Sequence, residues 1–242
     1  MILSHKSIIF RPYADRFIQL MRKYVFDRND TVSASYSSSI GYLVRLATDD
    51  QTLKTIEFAK NLYYGAEETT HRAISGEMLY SMSKLANDRI MALGSAFLPF
   101  VFVAMHDTDD QVKELFYKTW KDNVSGSRAV TLYLEEILDL VLRHLDSPRW
   151  AIKDSSALAV AKVVSSMDGT IDVTIAGLIW PILEKAMARK AWAGKERVLE
   201  GLVKFSASTR PFWSTNKEVG DQMKVRNPLP SWACSDCFHS SS

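Results

Sequence analysis

Apolar residues recur along this chain at helical spacing. Val130, Leu134, Ile137, Leu138, Val141 and Leu145 stand at i, i+4, i+7, i+8, i+11 and i+15, which is one face of an α-helix. Glu135, Glu136, Asp139 and Arg143 occupy the other face. Moving 41 residues on, Ile171, Ile175, Leu178, Ile179, Ile182 and Ala186 fill the same template. Moving 40 residues back, Ile90, Gly94, Phe97, Leu98, Val101 and Met105 fill it with one glycine. Tyr13, Phe17, Leu20, Met21 and Tyr24 give a copy near the start, and Ile56, Ala59, Leu62 and Tyr63 a weaker one.

Each of these helices is followed by a polar break and a second apolar series. The breaks are Asp27 to Asp30, Gly65 to Glu68, His106 to Asp110, Asp146 to Pro148 and Arg189 to Ala191. Asp and Ser there are expected to accept hydrogen bonds from free first-turn N–H groups, and Pro148 to stand at a first helical position. The second helices carry Val32, Tyr36, Ile40 and Leu43; Ile74, Met78, Met82 and Leu85; Val112, Phe116 and Trp120; Ala157, Val160, Ala161 and Val164; and Val198, Leu202 and Phe205. They are rich in small residues, Ser33 to Gly41 and Ser155 to Ala161 above all, read as sites of close helix approach. A period near 40 with two helices per unit predicts an all-α fold. It is an α-α superhelix, a HEAT/ARM-type solenoid of about five antiparallel helix pairs, each completing its neighbour's core.

The solenoid is expected over residues 1–208. Residues 209–242 hold three of the seven prolines, both cysteines and a terminal run of serines. They read as a non-repeat tail, partly disordered, and the whole as a piece of a longer array. The longest uncharged stretch, Ile90 to Met105, has 16 residues with Pro99 inside it and reads as a buried helix, too short for a membrane span. The opening residues carry no leader pattern.

Net charge is +2 from 30 basic and 28 acidic residues, a balance that argues against a nucleic-acid partner. Phosphate loops, nucleophile elbows and zinc-protease helices are absent, so no catalytic residue, cofactor or metal is assigned and the chain is not expected to be an enzyme. Glu135 and Glu136 are adjacent on a helix and diverge by about 100°, so they read as a solvated face. Cys234, Cys237 and His239 offer three soft ligands where a structural zinc site takes four. The cysteine-free body fits a reducing compartment.

Protein partners are the remaining expectation. Arg72, Lys113, Lys153 and Lys195 take comparable early positions in second helices and are the candidate partner-binding residues. Such a ladder can bind an acidic partner or pair with neighbouring Asp and Glu. Trp120, Trp150, Trp180 and Trp192 read first as packing between repeats and second as partner anchors. Under the packing reading, Trp150→Ala or Trp192→Ala would cost about 3–5 kcal/mol.

Some stretches also carry a family resemblance. They are Asn29-Asp30-Thr31-Val32 through Ile40-Gly41-Tyr42-Leu43-Val44-Arg45, Trp120-Lys121-Asp122-Asn123-Val124-Ser125-Gly126-Ser127, Leu132-Tyr133-Leu134 and Trp192-Ala193-Gly194-Lys195-Glu196. Over residues 11 to 224 the chain resembles the large HEAT-repeat adaptor and scaffold of the 26S proteasome, the proteasome stabiliser family. The resemblance implies a non-enzymatic scaffold that binds proteasome particles, bridges regulatory and core particles or monitors assembly, in cytoplasm and nucleus. Two other readings stand beside it. One is another HEAT adaptor such as a nuclear transport receptor, and the other is a metal or redox protein using Cys234, Cys237 and His239.

Overall fold

The computed structural model describes residues 7–65, 67–124, 126, 128–167, 169–188 and 195–215. Among these residues every regular element is a helix. The first repeat opens with α1 (Ser7–Phe10), a 3-10 turn (Arg11–Tyr13) and α2 (Ala14–Met21), and returns in α3 (Asp30–Val44). The second pairs α4 (Asp49–Gly65) with α5 (Thr69–Leu85). The third has a broken first helix, α6 (Asn87–Met91) and α7 (Gly94–Ala104), then α8 (Asp110–Asn123). The fourth likewise has α9 (Arg128–Leu132) and α10 (Leu134–His144), then α11 (Trp150–Ser166). The fifth pairs α12 (Val173–Met187) with α13 (Lys195–Ser208), and α14 (Arg210–Thr215) follows. The period-40 reading therefore places all five pairs, and the fold is an all-α solenoid of HEAT type.

The turns between paired helices share one device. Asp27 Oδ1 accepts from the Asn29 N–H at 2.9 Å, Asp107 Oδ1 from the Asp109 N–H at 2.9 Å, and Ser147 Oγ from the Arg149 N–H at 3.2 Å. Asn29 and Asp109 then cap α3 and α8, each accepting from two first-turn N–H groups. Glu68 and Arg149 occupy the same cap position without a side-chain bond. Pro148 lies in the turn ahead of Arg149 rather than at a first helical position, because α11 begins only at Trp150.

Small residues do bring the second helices together. A Cβ on Gly41 would lie 2.6 Å from the Ser81 carbonyl oxygen, so α3 and α5 touch backbone to backbone. A Cβ on Gly201 would lie 2.9 Å from that of Ala161, which seats α13 on α11. Buried serines cost little here because most bond internally: Ser155 and Ser156 donate to carbonyls one turn back, Ser75 to Ala59 O and Ser33 to Val25 O.

Second helices stack in order, α3 on α5, α5 on α8 and α11 on α13, but α8 and α11 form no packed interface. The third and fourth repeats join instead through α7, which packs against α10 and α11 as well as its partner α8 and the preceding α4. Covered on so many sides, α7 is apolar nearly all round. Phe97, Phe100, Val101, Phe102, Val103 and Ala104 are all buried. This is the uncharged stretch read from sequence, and no helix among the described residues is long and apolar enough to cross a membrane.

Two expectations shift. The template positions of the third and fourth repeats are all buried, but in the first repeat the burial moves by one residue to Ala14, Ile18 and Val25, and Tyr13, Phe17, Leu20 and Tyr24 face outward. After residue 208, α14 lays Phe212 against Phe205, so the described start of the tail continues the packing.

Candidate functional site

Three of the four candidate cations share one register but not their surroundings. Arg72, Lys113 and Lys153 each stand four residues after a helix cap, at Glu68, Asp109 and Arg149. Arg72 is nevertheless only 4% exposed, so it leaves the partner-binding set. Its Nε donates to Asp107 Oδ2 at 3.0 Å and its Nη2 to Asp107 Oδ1 at 3.3 Å. The Tyr63 hydroxyl donates to the same carboxylate at 2.8 Å, and Ser155 Oγ lies 3.3 Å from that hydroxyl. Burial first, and then the Asp107 charge, push the Tyr63 phenol well above its ordinary range. The buried carboxylate thus joins the second repeat to the third, and the Tyr63 hydroxyl extends the network to Ser155 of the fourth, which is structural work rather than recognition.

The other three lie nearer solvent. Lys113 is exposed and pairs with Asp110, whose carboxyl that hydrogen bond holds below its usual range. Lys153 holds its ammonium 5.4 Å from the Trp150 ring centre. Lys195, the first residue of α13, is half-buried. These four residues therefore do not form one continuous face.

The tryptophans divide as well. Trp180 is buried against Phe205, and half-buried Trp120 meets Phe102 edge-on at 5.2 Å. Trp192, Cys234, Cys237 and His239 lie outside the described residues. Trp150, expected to pack between repeats, is 68% exposed, because α11 begins at this residue and its buried face is carried by Ile152, Ser155, Ser156 and Ala159. Trp150→Ala is accordingly expected to cost less than about 1 kcal/mol in urea unfolding, against the larger loss a buried ring would give. A cost above about 2 kcal/mol would contradict the exposed placement.

Sequence reasoning passed over two cations further along the second helices, Lys162 on α11 and Arg197 on α13, both exposed. Their charges and that of Lys113 are felt at His106, which follows α7 and meets the Phe102 ring edge-on at 5.3 Å. The histidine as a residue is half-buried, but its Nε2 is sealed from solvent without a hydrogen-bond partner. Burial and the three cations lower its pKa from 6.5 to about 3. His144, stacked face to face on Tyr64 at 3.6 Å, is also lowered, first by burial and then by Arg143.

These histidines set a direction of pH dependence. The folded chain keeps the His106 ring neutral, whereas the unfolded chain takes up its proton near pH 6.5. Stability is therefore full above that value and falls as pH drops from about 6.5 toward about 3, where the unfolded state binds more protons. At pH 5 the loss from His106 is about 1–2 kcal/mol. His106→Gln is expected to flatten the slope of urea-unfolding free energy between pH 7 and pH 5. An unchanged slope would place the titrating group elsewhere.

The first repeat carries an apolar stripe. Aligned on the caps, Phe17, Leu20 and Tyr24 correspond to Ile56, Ala59 and Tyr63 and to Phe97, Phe100 and Ala104. Those later residues are 0–1% exposed, while the first-repeat residues are 39%, 47% and 50% exposed. An apolar groove of about 230 Å³ beside them is lined by Phe10, Phe17, Met21, Ser39, Tyr42 and Leu43. The first repeat thus leaves open apolar positions that are covered in the second and third.

No group of three or more His, Cys, Asp or Glu residues able to hold a metal occurs among the described residues. The arrangement offers surfaces, among them the exposed apolar stripe of the first repeat.

Known proteins share this arrangement of sequence. Residues 1–64 match the family described as "Proteasome adapter and scaffold protein ECM29, HEAT-repeat domain". The chain is 29% identical over 227 residues to "Proteasome component ecm29" of Schizosaccharomyces pombe, covering 93% of this chain and 13% of that protein. It is 26% identical over 198 residues to the human "Proteasome adapter and scaffold protein ECM29", covering 79% of this chain and 11% of that protein. The Saccharomyces cerevisiae "Proteasome component ECM29" is 25% identical over 224 residues, 92% of this chain and 12% of its own length. The chain thus spans 11–13% of the length of these relatives.

Proposed function

Since this chain is related along nearly its whole length to ECM29, the proteasome adapter and scaffold, we propose that it serves as a non-enzymatic binding segment for proteasome particles. The observation that supports this reading is the co-linear match over 93% of the chain, borne by a structure of five stacked helix pairs. Stacked pairs present a long surface whose shape is fixed by the core behind it, so affinity is spread over many modest contacts with a few anchors. Tethering of regulatory to core particle, or surveillance of their assembly, is the role such a surface would serve. Cytoplasm and nucleus are the compartments where that role would be exercised.

A tagged full-length chain expressed in cells is expected to recover proteasome subunits above the level of a tagged unrelated solenoid. Recovery no better than that control would remove proteasome binding from this segment, whatever its relatives do.

A further inference from the structure

The outward face of α3 is the counterpart of a face that another helix covers further along the array. Ser81 stands thirteen residues after the Glu68 cap of α5, and the Gly41 backbone of α3 rests on its carbonyl. Thirteen residues after the Asn29 cap of α3 stands Tyr42, which is 45% exposed. Ten residues after the same two caps, Met78 is fully buried and Ser39 only half-buried. Among the described residues α3 packs on α2 and α5, and its outward side stays open.

This open face is broad, largely apolar and free of charge. On α3, Val32, Ser35, Tyr36, Ser39, Tyr42 and Leu46 follow at helical spacing, and none is buried. Tyr13, Phe17, Leu20 and Tyr24 form the adjoining stripe, and Tyr24 stacks on Tyr36 at 5.5 Å to join the two. The groove of about 230 Å³ between them is lined by uncharged residues alone. Arg16, Lys23, Asp30 and Arg45 lie off the stripes by roughly a quarter turn or more. Side chains of this size and exposure present roughly 500–600 Å² of surface, the upper end for a monomer and near the ~800 Å² per partner of a standard interface. The hydroxyls of Ser35 and Ser39 already donate to carbonyls one turn back, at 2.7 and 2.8 Å, so covering them leaves no donor unpaired.

We infer that this face is where a second copy of the chain docks, first repeat against first repeat about a two-fold axis. A face without charge gives an acidic or basic partner nothing to pair with, and it meets its own image without repulsion. Its area is close to what each side of a dimer contributes. In such an isologous contact the same residues serve twice. The two α3 helices lie together where Ser35 and Ser39 permit close approach, and the Tyr42 ring of each copy enters the other's groove beside Phe17 and Met21. Three cations and one carboxylate stay at the rim, where salt screens them. This contact goes beyond the proteasome reading, since the chain can pair with its copy whether or not it binds proteasomes.

Sedimentation velocity on the full chain is the test. The wild-type chain is expected to shift with concentration toward twice the mass of one copy and no further. Leu20→Glu with Tyr42→Glu is expected to raise the dimer dissociation constant about a hundredfold or more, because each copy would bury unpaired carboxylates. Leu20→Ser with Tyr42→Ser should shift it the same way by less, and it carries the test should glutamate disturb folding, which circular dichroism reports. Leu132→Glu with Leu142→Glu, at exposed leucines of the fourth repeat, should stay dimeric. Raising salt to about 0.5 M should leave the dimer intact or tighten it. A wild-type chain that stays monomeric up to about 100 µM would overturn the inference, leaving the face to another protein or to the chain itself. So would a dimer that survives both pairs of Leu20 and Tyr42 changes, or a mass that keeps climbing past two copies.

Discussion

Asp107→Ala is expected to destabilise the chain by about 3–5 kcal/mol, the cost of leaving a buried charge without its partner. Asp107 accepts both a guanidinium fork from Arg72 and the Tyr63 hydroxyl, and it accepts the Asp109 N–H that shapes its own turn. Alanine removes all of these acceptors together. Arg72, itself buried, is left with a longer contact to the Glu67 carbonyl oxygen at 3.4 Å and a marginal one to Thr69 at 3.5 Å. Asp107→Asn keeps an oxygen for the turn and for one donor but loses the charge, so it should fall between alanine and wild type. Urea unfolding followed by circular dichroism measures both. A loss below about 1 kcal/mol for alanine would mean that water or a rearranged arginine replaces the carboxylate, and that this junction is not set by it.

The same network explains why the cation ladder was only half legible in the sequence. Arg72 and Lys113 share a register, four residues after their caps, so spacing predicts a common environment. What differs is the next repeat. Arg72 meets the turn that carries Asp107, whereas at the same place in the fourth repeat stands Ser147, and there α8 and α11 pack little against each other. A residue 35 positions away decides whether a cation turns inward, and a one-chain pattern does not rank such contacts.

The helices themselves were legible because the physics that makes them is local. Asn29 and Asp109 cap where polar breaks predicted, and the apolar template of Ile90 to Met105 is buried throughout. The first repeat shows the limit of that signal. Periodicity reports that Tyr13, Phe17, Leu20 and Tyr24 share a face, but not whether another helix covers it, and here Ala14 and Ile18 take the inward side. Trp150 shows it again, since an aromatic at a helix start reads alike whether it packs or projects. The gap between α8 and α11 left no mark, because Val112 and Phe116 would be apolar whichever neighbour covered them.

That gap makes α7 the hinge of the array's stability, and Phe100→Ala its most direct probe. The Phe100 ring is fully buried, with ring centres 5.3 Å from Tyr63, 5.4 Å from Tyr64 and 5.3 Å from Phe116. These rings come from α4, α7 and α8, so they join the second repeat to the third, and Tyr64 carries the stack on to His144 of the fourth. Truncation removes a large apolar group and leaves a cavity that three helices would have to close, for an expected loss of about 3–5 kcal/mol. Leu132→Ala, at a side chain 71% exposed, should cost less than about 1 kcal/mol and serves as the comparison. Because repeat arrays gain stability from neighbour interfaces, weakening this one should also broaden the urea transition or split it, as the repeats on either side begin to unfold separately. A loss near that of Leu132→Ala, with the transition still sharp, would show that α7 does not carry the coupling between the two halves.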